Sequence, residues 1–280
     1  MLAPAEIKFA EKGSASLSVE LVFGESTVTS AFATSPMKLL TPRSRGRSVW
    51  AYTSSFGGGL VAGDETRLDL RLAAGTTCFL GTQASTKVYR NPARRPCGHT
   101  THAQLGASSL LVFAPDPVQA FAESSYTQRQ EFHLAAAAGL ALVDWFSSGR
   151  SACGERWKFS RFVSRNQIFL DDQCVLLDAL QLDPEDGPLD APHRTGRFNC
   201  MAVLALIGLP LREAAARLLE EISARSVERR AALVCSASPI REGALLRVAG
   251  ESVEQVGREL HHHLESLAAL LGDDPWARKW

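Results

Sequence analysis

In the stretch Thr66-Arg-Leu-Asp-Leu-Arg-Leu72, polar and apolar residues alternate from Arg67 onward. Successive side chains of a β-strand point to opposite faces of a sheet, so this pattern predicts a strand with one buried face. Ala15–Phe23 and Glu131–Leu134 alternate in the same way, and short apolar runs such as Leu110–Phe113 lie between turn-forming residues. Strands spaced this closely predict a mainly β fold with a stacked or sandwich-like antiparallel architecture.

The pattern changes near residue 195. Residues 183–197 contain three prolines and two glycines and few large apolar side chains, which is typical of a domain boundary. We therefore expect a β-rich domain over residues 1–195 and a small α/β portion over residues 196–280. The apolar spacing in the second portion predicts the order β-α-β-β-α, with two helices near residues 211–222 and 253–271.

Charge and hydropathy exclude two classes of partner. The 30 Lys and Arg residues balance 30 Asp and Glu residues, so the chain has no overall positive charge with which to bind nucleic acid. The longest apolar runs, Leu134–Val143 and Met201–Pro210, are about half of the roughly 20 residues needed to span a bilayer. The first residues lack the basic and apolar segments of a secretory signal, so we expect a cytoplasmic protein.

Four glycines lie close together between Phe56 and Asp64: Gly57, Gly58, Gly59 and Gly63. Glycine permits positive φ angles and close approach of the backbone. A nucleotide-binding loop would be followed by a helix, whereas a strand pattern begins here at Glu65. We interpret the block as a structural turn or as close strand packing, with Asp64 as a turn-forming residue.

A second block, Thr82–Arg90, combines hydroxyl groups, an amide and two cations. Strand alternation predicts a donor-rich face that carries Gln83, Ser85, Lys87 and Tyr89. Such a face is either the solvated side of a surface strand or a polar lining inside a sandwich. The sequence leaves both interpretations open.

Two groups of residues suggest metal ligands. Cys97, His99 and His102 supply a thiol and two imidazoles, which suit Ni²⁺, Zn²⁺ or Cu²⁺, and they predict a transient metal contact. The triple histidine His261–His263 lies in a predicted helix, where successive side chains diverge by about 100°. We expect that these three rings do not share an ion within one chain.

The chain has no Gly-x-Ser-x-Gly nucleophile motif, and we expect no enzymatic activity. One alternative is a β-rich hydrolase that uses the carboxylates of Asp144 or Glu155. Another is a stand-alone nickel storage or sensing protein built on the two groups of metal-ligand residues.

Five motifs, in order along the chain, resemble those of one protein family. They are Ser35–Leu40 (SPMKLL), Phe56–Asp64 (FGGGLVAGD), Thr82–Arg90 (TQASTKVYR), Pro115–Pro117 with Phe121 and Ala122, and Gly149-Arg150 with Gly154–Trp157 (GERW). The series resembles the urease accessory protein family UreD, called UreH in some organisms. Phe56 stands where the family usually has proline, and Val112–Ala114 replaces a stretch that commonly contains Glu-Trp.

The resemblance implies a mainly β maturation factor that is not an enzyme. It implies binding to urease apoprotein, to the helical accessory protein UreF and to the accessory GTPase UreG. It also implies an internal, water-filled passage through which nickel travels to the urease active site. Nickel is then cargo in transit, and no permanently bound cofactor is expected.

Within this resemblance, several polar residues are candidates for the passage. The oxygen donors that we expect to line it are Asp64, Thr82, Gln83, Ser85, Asp144 and Glu155. The cations that we expect to balance nearby carboxylates are Lys87, Arg90 and Arg150. Purely structural roles stay open: Asp144 as a turn residue before Trp145, and Gly149-Arg150 as a hairpin turn with a salt bridge.

Overall fold

Strands dominate the computed structural model, which describes residues 12–43, 45–93, 95 and 97–278. The strands of the first part are β1 (Ser14–Val22), β2 (Glu25–Ala33), β3 (Met37–Leu40), β4 (Val49–Ser55), β5 (Gly59–Leu60), β6 (Glu65–Leu72), β7 (Thr77–Thr82), β8 (Thr86–Val88), β9 (Gly98–Leu105), β10 (Leu110–Ala114), β11 (Val118–Ala120), β12 (Ser125–Leu134), β13 (Gly139–Ser147), β14 (Arg161–Leu170) and β15 (Gln173–Leu182). The later elements are β16 (Cys200–Ile207), α1 (Arg212–Ala224), β17 (Leu233–Ile240), β18 (Gly243–Gly250), α2 (Val253–Glu265) and α3 (Ala268–Leu271).

These strands form two sheets. The seven-stranded sheet has the order β15-β14-β12-β9-β6-β1-β2. The eleven-stranded sheet has the order β17-β18-β16-β13-β10-β7-β4-β3, with β5, β8 and β11 attached beside it. From β6 to β14 the chain passes repeatedly from one sheet to the other, so the prediction of a mainly β, stacked architecture is confirmed.

The predicted antiparallel pairing is wrong for the centre of both sheets. Strands β6, β9, β12 and β14 pair in parallel, and so do β4, β7, β10 and β13. Between successive strands of either series the chain crosses to the opposite sheet, and it returns running in the same direction. Antiparallel pairs lie toward the edges, for example β1 with β2 and β14 with β15. Alternation reports which face of a strand is buried and carries no information about the direction of its neighbour.

The space between the sheets is divided into three layers along the strands. Strand β12 passes through all three layers. Its Phe132 and Leu134 belong to a mostly aliphatic cluster, and its Tyr126 belongs to an aromatic-rich cluster. The buried amides Gln128 and Gln130 lie between the two clusters. The parallel register repeats this order on each neighbouring strand. We call the three regions the aliphatic layer (the cluster around Leu134), the polar layer and the aromatic layer (the cluster around Tyr126).

The polar layer is defined by inward side chains in two adjacent rows of the seven-stranded sheet and by one carboxylate from the facing sheet. Its members are Thr66, His99, Gln128 and Ser164 in one row, Thr101, Gln130 and Asn166 in the next, and Asp144 of β13. Since each row joins residues directly opposite one another, polar groups lie beside polar groups across several strands.

The C-terminal part has the predicted order β-α-β-β-α, from β16 to α2. The predicted second helix ends at Glu265, and the short helix α3 follows and ends before Gly272, whose φ of 75° suits a helix terminus. Strands β16, β17 and β18 extend the eleven-stranded sheet, and α1 and α2 cover its outer face. The sheet therefore runs across residue 195, and the domain boundary there stays a prediction. Among the described residues, no helix has the length and hydropathy needed to cross a bilayer.

Candidate functional site

A cavity of about 100 Å³ lies between the two sheets, next to the polar layer. Its polar lining residues include Thr66, Thr82, Ser85, His99, Asp116, Gln128 and Asp144, with Tyr126 and Trp145 among the aromatic ones. A cavity needs only about 10–15 Å³ to hold one water molecule, so this one has room for several.

Asp144 is the centre of the hydrogen-bond network beside the cavity. Its Oδ1 accepts a hydrogen bond from Gln128 Nε2 at 2.8 Å. Its Oδ2 accepts from Ser164 Oγ at 2.8 Å and from Asn166 Nδ2 at 2.7 Å. The hydrogen bonds from these three neutral donors replace those to water that the carboxylate loses between the sheets.

The donors around Asp144 are themselves held in place. The Tyr126 hydroxyl donates to Gln128 Oε1 at 3.2 Å, and Gln130 Nε2 donates to Asn166 Oδ1 at 2.8 Å. Burial raises the pKa of Tyr126 well above its usual value, and the nearby charge of Asp144 adds to the effect. The tyrosine therefore stays protonated and remains a donor at neutral pH.

His99 lies in the same row as Thr66, and Thr101 lies in the next row. Its Nδ1 lies 2.9 Å from Thr66 Oγ1, and its Nε2 lies 3.0 Å from Thr101 Oγ1. Burial lowers the pKa of His99 to about 4, so the ring is neutral at pH 7. Because the Thr66 hydroxyl donates to the carbonyl of Gly98 at 3.0 Å, Nδ1 must donate to Thr66, and Nε2 then accepts from Thr101.

A second carboxylate lines the cavity from the eleven-stranded side. Thr82 Oγ1 donates to Asp116 Oδ2 at 3.0 Å and accepts from the Asp116 backbone N–H at 2.7 Å. The predicted continuous alternation over residues 82–90 is wrong, since β7 ends at Thr82 and β8 begins at Thr86. The bend between them places both Thr82 and Ser85 against the cavity, although strand alternation would have separated them.

Three of the six residues expected to line a passage are not among those that line this cavity. Asp64 closes a turn, in which its Oδ2 accepts from the Val61 N–H at 2.9 Å. Gln83 is exposed and borders a separate surface groove. Glu155 is bound by Arg150 and also accepts from the Ala122 N–H at 3.3 Å. Asp64 thus has the turn-forming role left open by the sequence, and Glu155 is the partner of the salt bridge left open for Arg150.

Two of the three expected cations do pair with carboxylates. Arg150 Nε donates to Glu155 Oε2 at 3.0 Å, and hydrogen bonding from Arg150 lowers the pKa of Glu155. Arg90 forms an exposed ion pair with Glu123 at 2.6 Å. Lys87 is exposed on β8.

Asp144 is not a turn residue, because it lies inside β13 and pairs with Val203 of β16.

The glycine block has a packing role at Gly59. A side chain at this position would place its Cβ 2.4 Å from the carbonyl oxygen of Lys87 on the paired strand β8, so only glycine fits without a shift of the backbone. Gly57, Gly58 and Gly63 have φ angles of 79°, 71° and 90°, which glycine adopts readily.

The predicted metal contact of Cys97, His99 and His102 does not form, because the three side chains do not share one face. His99 points into the polar layer, whereas His102 lies on the outer face of the seven-stranded sheet, 3.9 Å from Glu131. Burial raises the pKa of the Cys97 thiol to about 12, so it stays protonated and is a poor ligand.

Several residues of the site were missed from the sequence: Thr66, Asp116, Tyr126, Gln128, Gln130, Ser164 and Asn166. A signal was present in β12, where Gln128 and Gln130 stand on the same alternating face as Phe132 and Leu134. Amides on an otherwise apolar face require buried hydrogen-bond partners, and such partners point to a polar interior.

The sequence profile of the UreD urease accessory proteins matches residues 11–280. The chain belongs to the UreD family. Among its relatives, "Urease accessory protein UreD" of Sorangium cellulosum is 48% identical over 269 residues, which cover 96% of this chain and 84% of that protein. "Urease accessory protein UreD" of Anaeromyxobacter sp. is 39% identical over 95% of this chain and 89% of its own length. "Urease accessory protein D" of Arabidopsis thaliana is 32% identical over 92% of this chain and 98% of its own length.

The region that matches the UreD profile includes both sheets and the C-terminal helices. The urease accessory proteins are maturation factors, which agrees with the expected absence of enzymatic activity.

Proposed function

We propose that this chain assists the insertion of nickel into urease and that its polar layer forms part of the path of the ion. Family membership supports the link to urease. The observation that carries the proposed path is the position of Asp144, whose carboxylate accepts three hydrogen bonds beside an internal cavity of about 100 Å³. Thr82, Ser85 and Asp144 are the predicted lining residues that meet at this cavity.

The chemistry of the layer suits a cation that passes without being retained. A divalent ion between two sheets needs oxygen ligands to replace part of its water shell. Asp144 and Asp116 supply charge, and the hydroxyl of Ser85 supplies a neutral oxygen. Both carboxylates already accept hydrogen bonds from protein donors, so an ion competes with these donors for the carboxylate oxygens and gains less from binding. Weak, exchangeable coordination is the condition for transit.

The partners that we propose are urease apoprotein, the helical accessory protein UreF and the GTPase UreG. Co-expression of the urease subunits and accessory proteins with this chain is expected to give active urease, and its omission is expected to leave apo-urease. Unchanged urease activity without this chain would refute the proposed function.

The path is tested separately by Asp144→Asn, which keeps the shape of the side chain and removes its charge. We expect lower nickel content and activity of the co-expressed urease, with unchanged capture of the chain by its partners. The matched control is Asp178→Asn, because Asp178 is a partly buried carboxylate that pairs with Arg247 and does not line the cavity. Equal nickel content in urease matured with the two variants would contradict a role of the polar layer in transit.

The two alternative functions gain no support from the geometry. For a hydrolase that uses Asp144 or Glu155, Glu155 is bound by Arg150 and is not among the residues that line the cavity. Asp144 does line it, but its carboxylate already accepts hydrogen bonds from Gln128, Ser164 and Asn166. A storage site built on Cys97, His99 and His102 would need the three side chains on one face of β9, and they are divided between the inner and outer sides.

A further inference from the structure

Three potential metal ligands meet on the outer face of the seven-stranded sheet: His102, Glu131 and His133. Glu131 and His133 are two residues apart on β12, so their side chains emerge on the same side, and His102 of β9 lies directly opposite Glu131 in the register. One potential ligand atom from each residue lies within 4.8 Å of the others.

We infer that His102, Glu131 and His133 form a surface site for a first-row divalent transition-metal ion such as Ni²⁺ or Zn²⁺. Two imidazoles and a carboxylate are ligands that these ions accept, and three protein ligands leave positions for water or for a ligand from another molecule. The site does not depend on the proposed nickel path, because these side chains point away from the polar layer.

The present geometry is close to what coordination requires. His133 Nε2 lies 2.5 Å from Glu131 Oε1, and His102 Nε2 lies 3.9 Å from the same oxygen. Metal–ligand bonds of about 2.0–2.2 Å place neighbouring ligand atoms roughly 3 Å apart, so modest side-chain rotations suffice. His133 is also stacked on Phe169, with 4.7 Å between ring centroids and an angle of 4° between the rings, which restricts its rotation before an ion binds.

Access and charge also favour this group. The side chains of His102, Glu131 and His133 are 32%, 44% and 34% exposed. On one side, His102 and His133 line a surface depression whose wall holds one cation, Arg71, and three carboxylates that attract cations, those of Glu20, Asp171 and Asp172. On the other side, His102 and Glu131 border a groove that contains Arg67, Arg129 and Arg165, so the favourable charge lies on the first side.

A second group, Glu221, His262 and His263, joins α1 to α2, because two rings of the triple histidine meet one carboxylate from another helix. His261 is not in this group, so the expectation that the three rings do not share one ion stays a prediction. Arg225 makes ion pairs with both Glu221 and the adjacent Glu259. A guanidinium already balances these carboxylates, so a metal ion would have to displace it. The outer-sheet group is therefore the better site.

The test is calorimetric titration of the full chain with Ni²⁺ and, separately, with Zn²⁺. We expect that His102→Ala, Glu131→Gln and His133→Ala each weaken binding of one equivalent by roughly tenfold or more. Matched controls are His193→Ala, an exposed histidine outside both groups, and His262→Ala in the helical group, and both are expected to bind as the parent chain does. Histidine-selective NMR with Zn²⁺ should shift two imidazole signals, which His102→Ala and His133→Ala identify.

Three results would overturn the inference: absence of binding in the parent chain, binding that survives the three substitutions, or loss of binding in His262→Ala. Loss of this binding in Asp144→Asn, with binding kept in the three substitutions, would place the ion at the cavity instead, so this comparison separates the surface site from the proposed nickel path. Circular dichroism of each variant establishes that the fold is retained.

Discussion

The aliphatic layer and the polar layer lie on the same strands, two residues apart, and differ in what fills the space between the sheets. In the aliphatic layer, Leu134 of β12 lies opposite Leu105 and Leu170, and all three are buried. In the polar layer, Gln128 of the same strand lies opposite His99 and Ser164, beside a cavity. The backbone pairing is the same in both layers. The same strand pairing can therefore enclose a polar interior, provided that each buried polar group has a hydrogen-bond partner.

The largest effect is expected in the aliphatic layer. Phe132 is fully buried and contacts Phe113 of the facing sheet edge-to-face, at 5.5 Å between centroids. Phe132→Ala should lower the free energy of unfolding by about 3–5 kcal/mol, because it leaves a cavity in a packed cluster. Denaturant unfolding measures the change, with Phe32→Ala as the control, since Phe32 is 48% exposed on β2. Equal losses in the two variants would show that this layer does not act as a packed core.

A smaller loss is expected when an apolar side chain enters the polar layer. Asp144→Leu removes the acceptor of Gln128, Ser164 and Asn166, and it should lower the free energy of unfolding by about 2 kcal/mol, with water in the cavity replacing part of the lost bonding. Asp144→Asn keeps an acceptor oxygen and should lose less in the same measurement. A Leu variant more stable than the parent chain would mean that the two layers are interchangeable.

The polar layer should also respond to acid, through His99. Its pKa is lowered to about 4 by burial, whereas an unfolded chain binds this proton near its ordinary value of 6.5. Between these values the unfolded state holds more protons, so stability is full above pH 6.5 and falls as the pH drops to 4, by up to about 1.4 kcal/mol per pH unit.

The substitution His99→Gln should remove this contribution to the slope of stability against pH. Denaturant unfolding of the parent chain and of the variant at several pH values between 7 and 4 measures the difference. The aliphatic-layer variant Phe132→Ala is the control, because it should lower stability and keep the slope. An unchanged slope in His99→Gln would show that His99 is not the group that titrates.

The smallest effect is expected on the outer face of the same sheet. Arg67 and Asp69 of β6 form an exposed ion pair at 2.7 Å. Arg67→Ala should change the free energy of unfolding by about 0.2–1 kcal/mol, and added salt should reduce the difference, because solvent and ions screen an exposed pair. A loss as large as that of Asp144→Leu would remove the contrast between the inner and outer sides of the sheet.

Much of the secondary structure was predictable because burial of one face leaves an alternating pattern, as in Thr66–Leu72, which lies within β6. Whether neighbouring strands pair in parallel or antiparallel was not predictable, since it depends on the route of the chain between the two sheets. The site was predictable only in part. Asp144 and Thr82 reach the cavity, whereas Gln83, the residue after Thr82, does not. Ser85 reaches it because a bend after β7 interrupts the alternation. Gln128 and Gln130 could have been found from their place on an apolar face.

The position of the C-terminal helices has a consequence for synthesis of the chain. The outer face of the eleven-stranded sheet carries Trp50, Phe79 and Val112, and it is covered by Leu218 of α1 and Leu260 of α2. Ribosomes add about 5–20 residues per second, so the strands exist for on the order of ten seconds before the helices that cover them. During this interval the nascent polypeptide presents to the cell an apolar surface that the folded chain covers.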